Sequence, residues 1–222
     1  MRAVALVLVV VFGMFALVPP VLAQEGLLGQ VVAVGQAQVN PDGKGWVGLK
    51  GSYPLRPGMK FRTADGRMSL LFQDGTRVEL GGASELAVRA GPQGHVLQLG
   101  SGKIGLHVPA TVRLRVQTPD LLSVQFQNAT GGVLFDGQKS QVMVVSGKVK
   151  VLSRGGQVLR EVPAGELFTA SAKGYQTVAV GQALAGGAAR RLLAVVLLAG
   201  GTAAAAVAIQ DEDEEAASPA SP

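Results

Sequence analysis

The chain has 222 residues, nearly half of them apolar but few aromatic, with 31 glycines and no cysteine. Without cysteine it has no disulfide framework, no thiolate metal site and no Cys nucleophile. With Arg2 and the acidic run Asp211–Glu215 set aside, nineteen Lys and Arg stand against ten Asp and Glu, so the central part of the chain is basic.

Residues 1–23 open with Arg2, continue as an apolar run from Ala3 to Val18, break at Pro19-Pro20 and end on Val21-Leu22-Ala23. A short basic start, an apolar stretch and a small-residue exit are the parts of a secretory signal peptide, which predicts cleavage before Gln24 and export to the periplasm or cell envelope. In an exported chain, a basic balance points to anionic partners: an envelope protein with an acidic face, or an anionic glycan or polymer. Nucleic acid is not expected. The bland alternative is that the cations are solvated strand faces, since they alternate with apolar residues and no cluster of five or more basic residues occurs.

From residue 24 to 180 the punctuation is dense. Asp-Gly pairs occur at Asp42-Gly43, Asp65-Gly66, Asp74-Gly75 and Asp136-Gly137, and Pro57-Gly58 precedes the second. Asp accepts turn geometry and Gly tolerates positive φ, so each pair marks a corner between short strands. Alternating apolar residues predict strands over 28–39, 68–73, 76–80, 96–99, 104–108, 112–117, 122–127, 142–145, 148–152, 158–162 and 166–169, with no interior helix. The fold class is therefore all-β, with short strands and tight turns stacked as a β-solenoid-like or sandwich domain. HVLQLGSGKIGLHV at 95–108 echoes QVMVVSGKVKVLS at 141–153, two copies of strand, Ser-Gly-Lys corner and strand, set forty-five residues apart. Two copies fall short of the three that a solenoid requires.

A linker is expected over 181–191. Leu192–Ile209, uncharged and eighteen residues long, is then just long enough to cross a bilayer as a transmembrane helix. An acidic, unstructured tail over 210–222 follows. Arg190 and Arg191 before the run and acids after it place the cations on the outer side for an exported domain, against the positive-inside preference.

Chemistry-bearing candidates are few. Gly100-Ser101-Gly102-Lys103-Ile104-Gly105 satisfies G-x-G-x-x-G, but strand follows where a dinucleotide site needs a helix, so a β corner is the better reading. His95 and His107 each alternate with apolar neighbours and have no acidic residues at ligand-like spacing. Asp65, Asp74, Glu79 and Glu85 could pair as carboxylates, although two of them are explained as turn residues before Gly. Asn128-Ala129-Thr130 matches a glycosylation triplet and reads as a turn. Trp46 and Tyr53 flank a Gly-rich loop, either as core anchors or as a stacking edge. No catalytic, cofactor-binding or metal-binding residue is predicted, and no cofactor; the chain is expected not to be an enzyme.

Several segments, in order, carry a family resemblance: Leu55-x-x-Gly58 followed by Arg62-Thr63, the Asp74-Gly75-Thr76 turn, Val116-Gln117-Thr118-Pro119 and Val162-Pro163-Ala164-Gly165. Together they resemble the FecR domain over roughly 28–170. The resemblance departs after the Thr-Pro, where the family usually has an Arg-Gly-Thr turn and this chain reads Asn128-Ala129-Thr130-Gly131-Gly132. It implies a noncatalytic envelope module that binds a protein, glycan or anionic polymer. The alternative it implies is a membrane-anchored, sigma-factor-type sensor or regulator acting through a partner.

Overall fold

A computed structural model describes residues 26–91, 94–120, 122–153, 155–171, 174–183 and 187–200. The expected signal peptide at 1–23, residues 201–209 of the apolar run and the acidic tail lie outside the described residues. The first half of the chain forms β1 Gly29–Val34, β2 Ala37–Asn40, β3 Val47–Gly48, β4 Gly51–Leu55, β5 Lys60–Thr63, β6 Arg67–Phe72, β7 Arg77–Leu80 and β8 Ser84–Gly91. After these come β9 Gly94–Val108, β10 Leu114–Gln117, β11 Ser123–Phe126, β12 Ala129–Phe135, β13 Lys139–Ser146, β14 Lys148–Leu152, β15 Val158–Pro163, β16 Glu166–Ser171 and β17 Gly174–Ala179. Two helices close the described chain, α1 Val180–Ala183 and α2 Gly187–Gly200.

The strands form two arrays that share one strand. In the first, the order is β4-β1-β6-β7-β9-β12-β13-β16-β17, all neighbours antiparallel. In the second it is β3-β2-β5-β8-β9-β10-β11-β14-β15, antiparallel except where β9 meets β10. Strand β9 belongs to both: its N-terminal half pairs with β8 and β10, and its C-terminal half with β7 and β12. Neither array closes on itself. The two predicted strands at 96–99 and 104–108 are thus one, and Ser101-Gly102-Lys103 is the bend where β9 passes from one array to the other.

Alternation decides which face is buried. Along β6 Met68, Leu70 and Phe72 point inward between Arg67, Ser69 and Leu71, and along β8 Leu86 and Val88 point inward between Glu85, Ala87 and Arg89. A period-2 pattern places one apolar set on one sheet face, and the two sets meet in a single core containing Phe61, Phe126, Leu97, Ile104, Val124 and Val151. In both arrays the strand order advances almost in step with the chain, and neighbouring strands run antiparallel except β9 and β10.

The forty-five-residue echo has a structural counterpart. Ala83 and Asn128 are the non-glycine residues with positive φ among those described, at 53° and 49°, and they too lie forty-five apart. Each sits at a corner between the arrays, before β8 and before β12. Each faces a glycine of the neighbouring crossing: a Cβ on Gly102 would strike the Ala83 carbonyl, and one on Gly147 would strike the Asn128 carbonyl. The Ser-Gly-Lys segments are therefore equivalent crossing points, and glycine is required at both because backbone passes against backbone.

Of the predicted segments, 181–191 contains part of α1 and the start of α2. Helix α2 begins at Gly187, before the apolar run, and lies against the outer face of the first array. Leu192, Val195, Val196 and Ala199 are buried at helical spacing, while Ala194 and Leu198 are exposed. The sheet beneath is flattened by Gly105 and Gly132, which are register partners. A Cβ on Gly105 would meet the Val195 carbonyl, and one on Gly132 the side chains of Val196 and Leu192. Gly132 is the last residue of the segment that departs from the FecR pattern, and its lack of a side chain makes room for α2. Among the described residues no helix is long and apolar enough to cross a membrane.

Candidate functional site: a cationic groove on the second array

On the outer face of the second array, cross-strand register turns single residues into rows. Arg89 on β8 and Arg115 on β10 both pair with Val96 of β9, so the two guanidinium stems flank one residue. In the next row Lys60, Ala87, Gln98, Gln117 and Ser123 follow one another across β5, β8, β9, β10 and β11. These residues line a groove of about 490 Å³ whose far wall is formed by Leu152, Ser153 and Gly156.

The chemistry of the groove is mostly cationic. Lys60, Arg89 and Arg115 are exposed, and none makes an ion pair or hydrogen bond among the described residues. Glu85 stands at one end. The Gln98 amide donates to the Gln117 side-chain carbonyl at 3.4 Å, which sets amide groups on the floor. The Ser123 hydroxyl is buried with no hydrogen-bond partner. Nearby cations are already engaged: Lys150 pairs with Glu161 at 3.6 Å, and Arg62 donates to Gln38 while its guanidinium covers the Trp46 ring at 4.3 Å. Three unpaired cations above a floor of amides suit a ligand with several carboxylates, since Arg binds planar oxyanions through paired N–H donors.

The candidates read from sequence fall elsewhere or into structural roles. Trp46 is a half-buried surface residue beneath Arg62 and takes no part in the core, whereas Tyr53 packs against the core. The G-x-G-x-x-G stretch, expected as a corner between two strands, lies instead inside the continuous strand β9. Asp65 has no Asx bond; its Gly66 is required by close approach, since a Cβ there would lie 2.6 Å from the Val34 carbonyl and 2.7 Å from the Gln36 nitrogen. Asp74 and His95, twenty-one residues apart, are brought together, with His95 Nε2 2.7 Å from the carboxylate and the ring against Phe72 at 4.5 Å between centroids. Sequence spacing hides this pair because one residue lies in the β6–β7 turn and the other opens β9. The other ring nitrogen, Nδ1, is buried without a hydrogen-bond partner, so no hydroxyl completes a nucleophilic arrangement there. Burial raises the Asp74 pKa, but hydrogen bonding from Thr76 and His95 together with the His95 ring outweighs it and holds the carboxyl below its usual range. His107 Nδ1 meets the Thr130 hydroxyl at 3.0 Å. Glu79 accepts from Ser69 Oγ at 2.7 Å beside α2, and burial pushes its carboxyl up against the smaller opposing effects of Ser69, Arg67 and Arg77. Among the described residues no three His, Asp or Glu side chains gather as a metal site.

Two crystal structures of a candidate anti-sigma factor from Parabacteroides distasonis ATCC 8503, at 1.65 and 2.50 Å resolution, are similar to the chain at 16% identity with a TM-score of 0.45. The alignment covers 53% of this chain and 57% of that one, so the likeness spans little more than half of that protein. No curated protein matches the sequence. Residues 59–150 match the FecR family, described as FecR protein. Met59 follows the Pro57-Gly58 turn and Lys150 lies within β14, so the match takes in every strand that builds the floor of the groove. Over these residues the chain is similar to the FecR family.

Proposed function

We propose that this chain is a noncatalytic signal-transduction regulator that works outside the cytoplasm by binding a partner protein through the cationic groove. The observation that supports it most is the FecR match over 59–150, because the domain is the module of an envelope regulator and its matched strands are those that carry Lys60, Arg89 and Arg115. The partner presents carboxylates to the three cations and amide acceptors to Gln98 and Gln117. Export follows from the leader at 1–23, and N-terminal sequencing of the purified protein should then begin at Gln24; a retained Met1 in a cytoplasmic fraction would overturn export.

Transcript profiling of a deletion strain tests the regulatory reading. Loss of the chain should shift one coherent set of genes, wild-type chain should restore it, and the Lys60→Gln, Arg89→Gln, Arg115→Gln triple variant should not. An unchanged transcript profile would overturn regulation. Full restoration by the triple variant would remove the groove from it.

A further inference from the structure

We propose that the groove is occupied by the chain's own acidic segment, Asp211–Glu215. The groove offers Lys60, Arg89 and Arg115 without counter-ions among the described residues, and the chain carries five consecutive acids outside the described residues and none in the eight residues before them. Charge complementarity of this kind is short-ranged and sequence-tolerant, which suits a run of acids better than a single shaped ligand.

The fold puts the segment within reach. Helix α2 lies on the opposite array, yet Leu198 in its last turn shares a hollow with Gly81, Gly82 and Lys103. Those residues stand at the crossing where β8 begins and β9 bends: Gly82 is three residues before Glu85 and Lys103 three residues after Gly100, and Glu85 and Gly100 form the near end of the groove. Three residues of strand cover roughly 10 Å. The ten residues 201–210 span up to roughly 35 Å when extended, enough to pass from Gly200 over the crossing and along the groove. With α2 docked, the acids are held on the same side of any membrane as the domain, at a high effective concentration for the groove. Occupation would mask the surface assigned to the partner. The inference rests on the reading of that surface as a carboxylate site, and its test needs no partner.

The chain has no cysteine, so Ser218→Cys in the full chain supplies one attachment point for a nitroxide. Expected is loss of more than half the amide signal intensity at Gln98, Arg115 and Gln117, reversed in about 1 M NaCl, where the screening length is near 3 Å. Arg89→Glu with Arg115→Glu should abolish the effect, and changing the five acids to Lys in that variant should restore it, which a merely misfolded groove could not do. Mixing nitroxide-labelled chain with unlabelled, isotope-enriched chain separates self-docking from docking between copies. Signal loss at the groove in the mixture, signal loss elsewhere, or none at all would overturn the proposal. The transcript profile could still support the regulator if the nitroxide experiment failed.

Discussion

At Asp74-Gly75, side-chain and backbone chemistry combine in two residues. The Thr76 N–H donates to the Asp74 carboxylate at 2.9 Å, and Gly75 turns the chain at φ 86°. Asp42 and Asp136 bond their turns in the same way, to Lys44 and to Gln138 and Lys139. Gly75→Val should cost about 1–3 kcal/mol, because a β-branched residue is poorly accommodated at that φ. Gly91 ends β8 opposite Gly94 and its φ is not positive, so Gly91→Ala should lower the melting temperature less than Gly75→Val. Equal losses would contradict the assignment. Among the carboxylates with shifted pKa, Asp74 and Glu79 predict opposite pH behaviour. Asp74 has a lowered folded pKa, so its contribution is present above the unfolded pKa and disappears as the pH falls through the folded one. Asp74→Asn should therefore be less stable than wild type at pH 7, and the gap should close in acid. For Glu79 the folded pKa is raised, so the cost appears as the pH rises through the carboxylate range. Glu79→Gln keeps an acceptor for Ser69 and should flatten that part of the stability curve, as urea titrations at several pH values would show.

Helix α2 and the glycine pair beneath it form one element in energetic terms. Leu192 and Val196 are fully buried against Met143 and Leu167. Full burial of such a side chain contributes about 1.5–3 kcal/mol, so the docked face amounts to several kcal/mol before ordering entropy is subtracted. A Cβ at position 132 would strike a Val196 methyl and lie 2.8 Å from a Leu192 methyl and 2.8 Å from the Ile104 carbonyl of β9, so Gly132→Val crowds that docking. It should release α2 and expose 187–200 to protease, while β-strand circular dichroism is kept because the main core lies on the other face of the sheet. Leu192→Asp should give the same proteolysis without touching the sheet. A variant that loses its strands along with the helix would show that α2 is needed for the core itself.

For the whole molecule, docking and membrane insertion exclude one another, because residues 187–200 cannot cover Gly105 and Gly132 and cross a bilayer at the same time. Wild-type chain in a membrane fraction should therefore be released by carbonate, with high salt removing any part held by its basic face. Gly132→Val, with its apolar run freed, should resist carbonate more than wild type. Wild-type chain that resists carbonate would mean that the run leaves the sheet when lipid is present.

Turn chemistry and strand alternation are local, and they were legible before any fold was known. Pro57-Gly58 and Asp74-Gly75 place corners where both glycines take φ of 86°, and period-2 apolar residues identify the inward faces of β6 and β8. All-β class and the FecR resemblance followed from these local marks in order. What needed the tertiary structure was every relation across the chain. A Ser-Gly-Lys triplet reads as a corner in both copies, but only the pairing of β9 with four strands shows that one of them is a bend inside a strand. Leu192 to Gly200 reads as the start of a membrane span because hydropathy is indifferent to what covers an apolar face, and here a glycine-flattened sheet covers it. Lys60, Arg89 and Arg115 are scattered cations in sequence, too dispersed to count as a cluster. They converge because hydrogen-bonded register sets residues from different strands about 5 Å apart, and register is a property of the folded sheet.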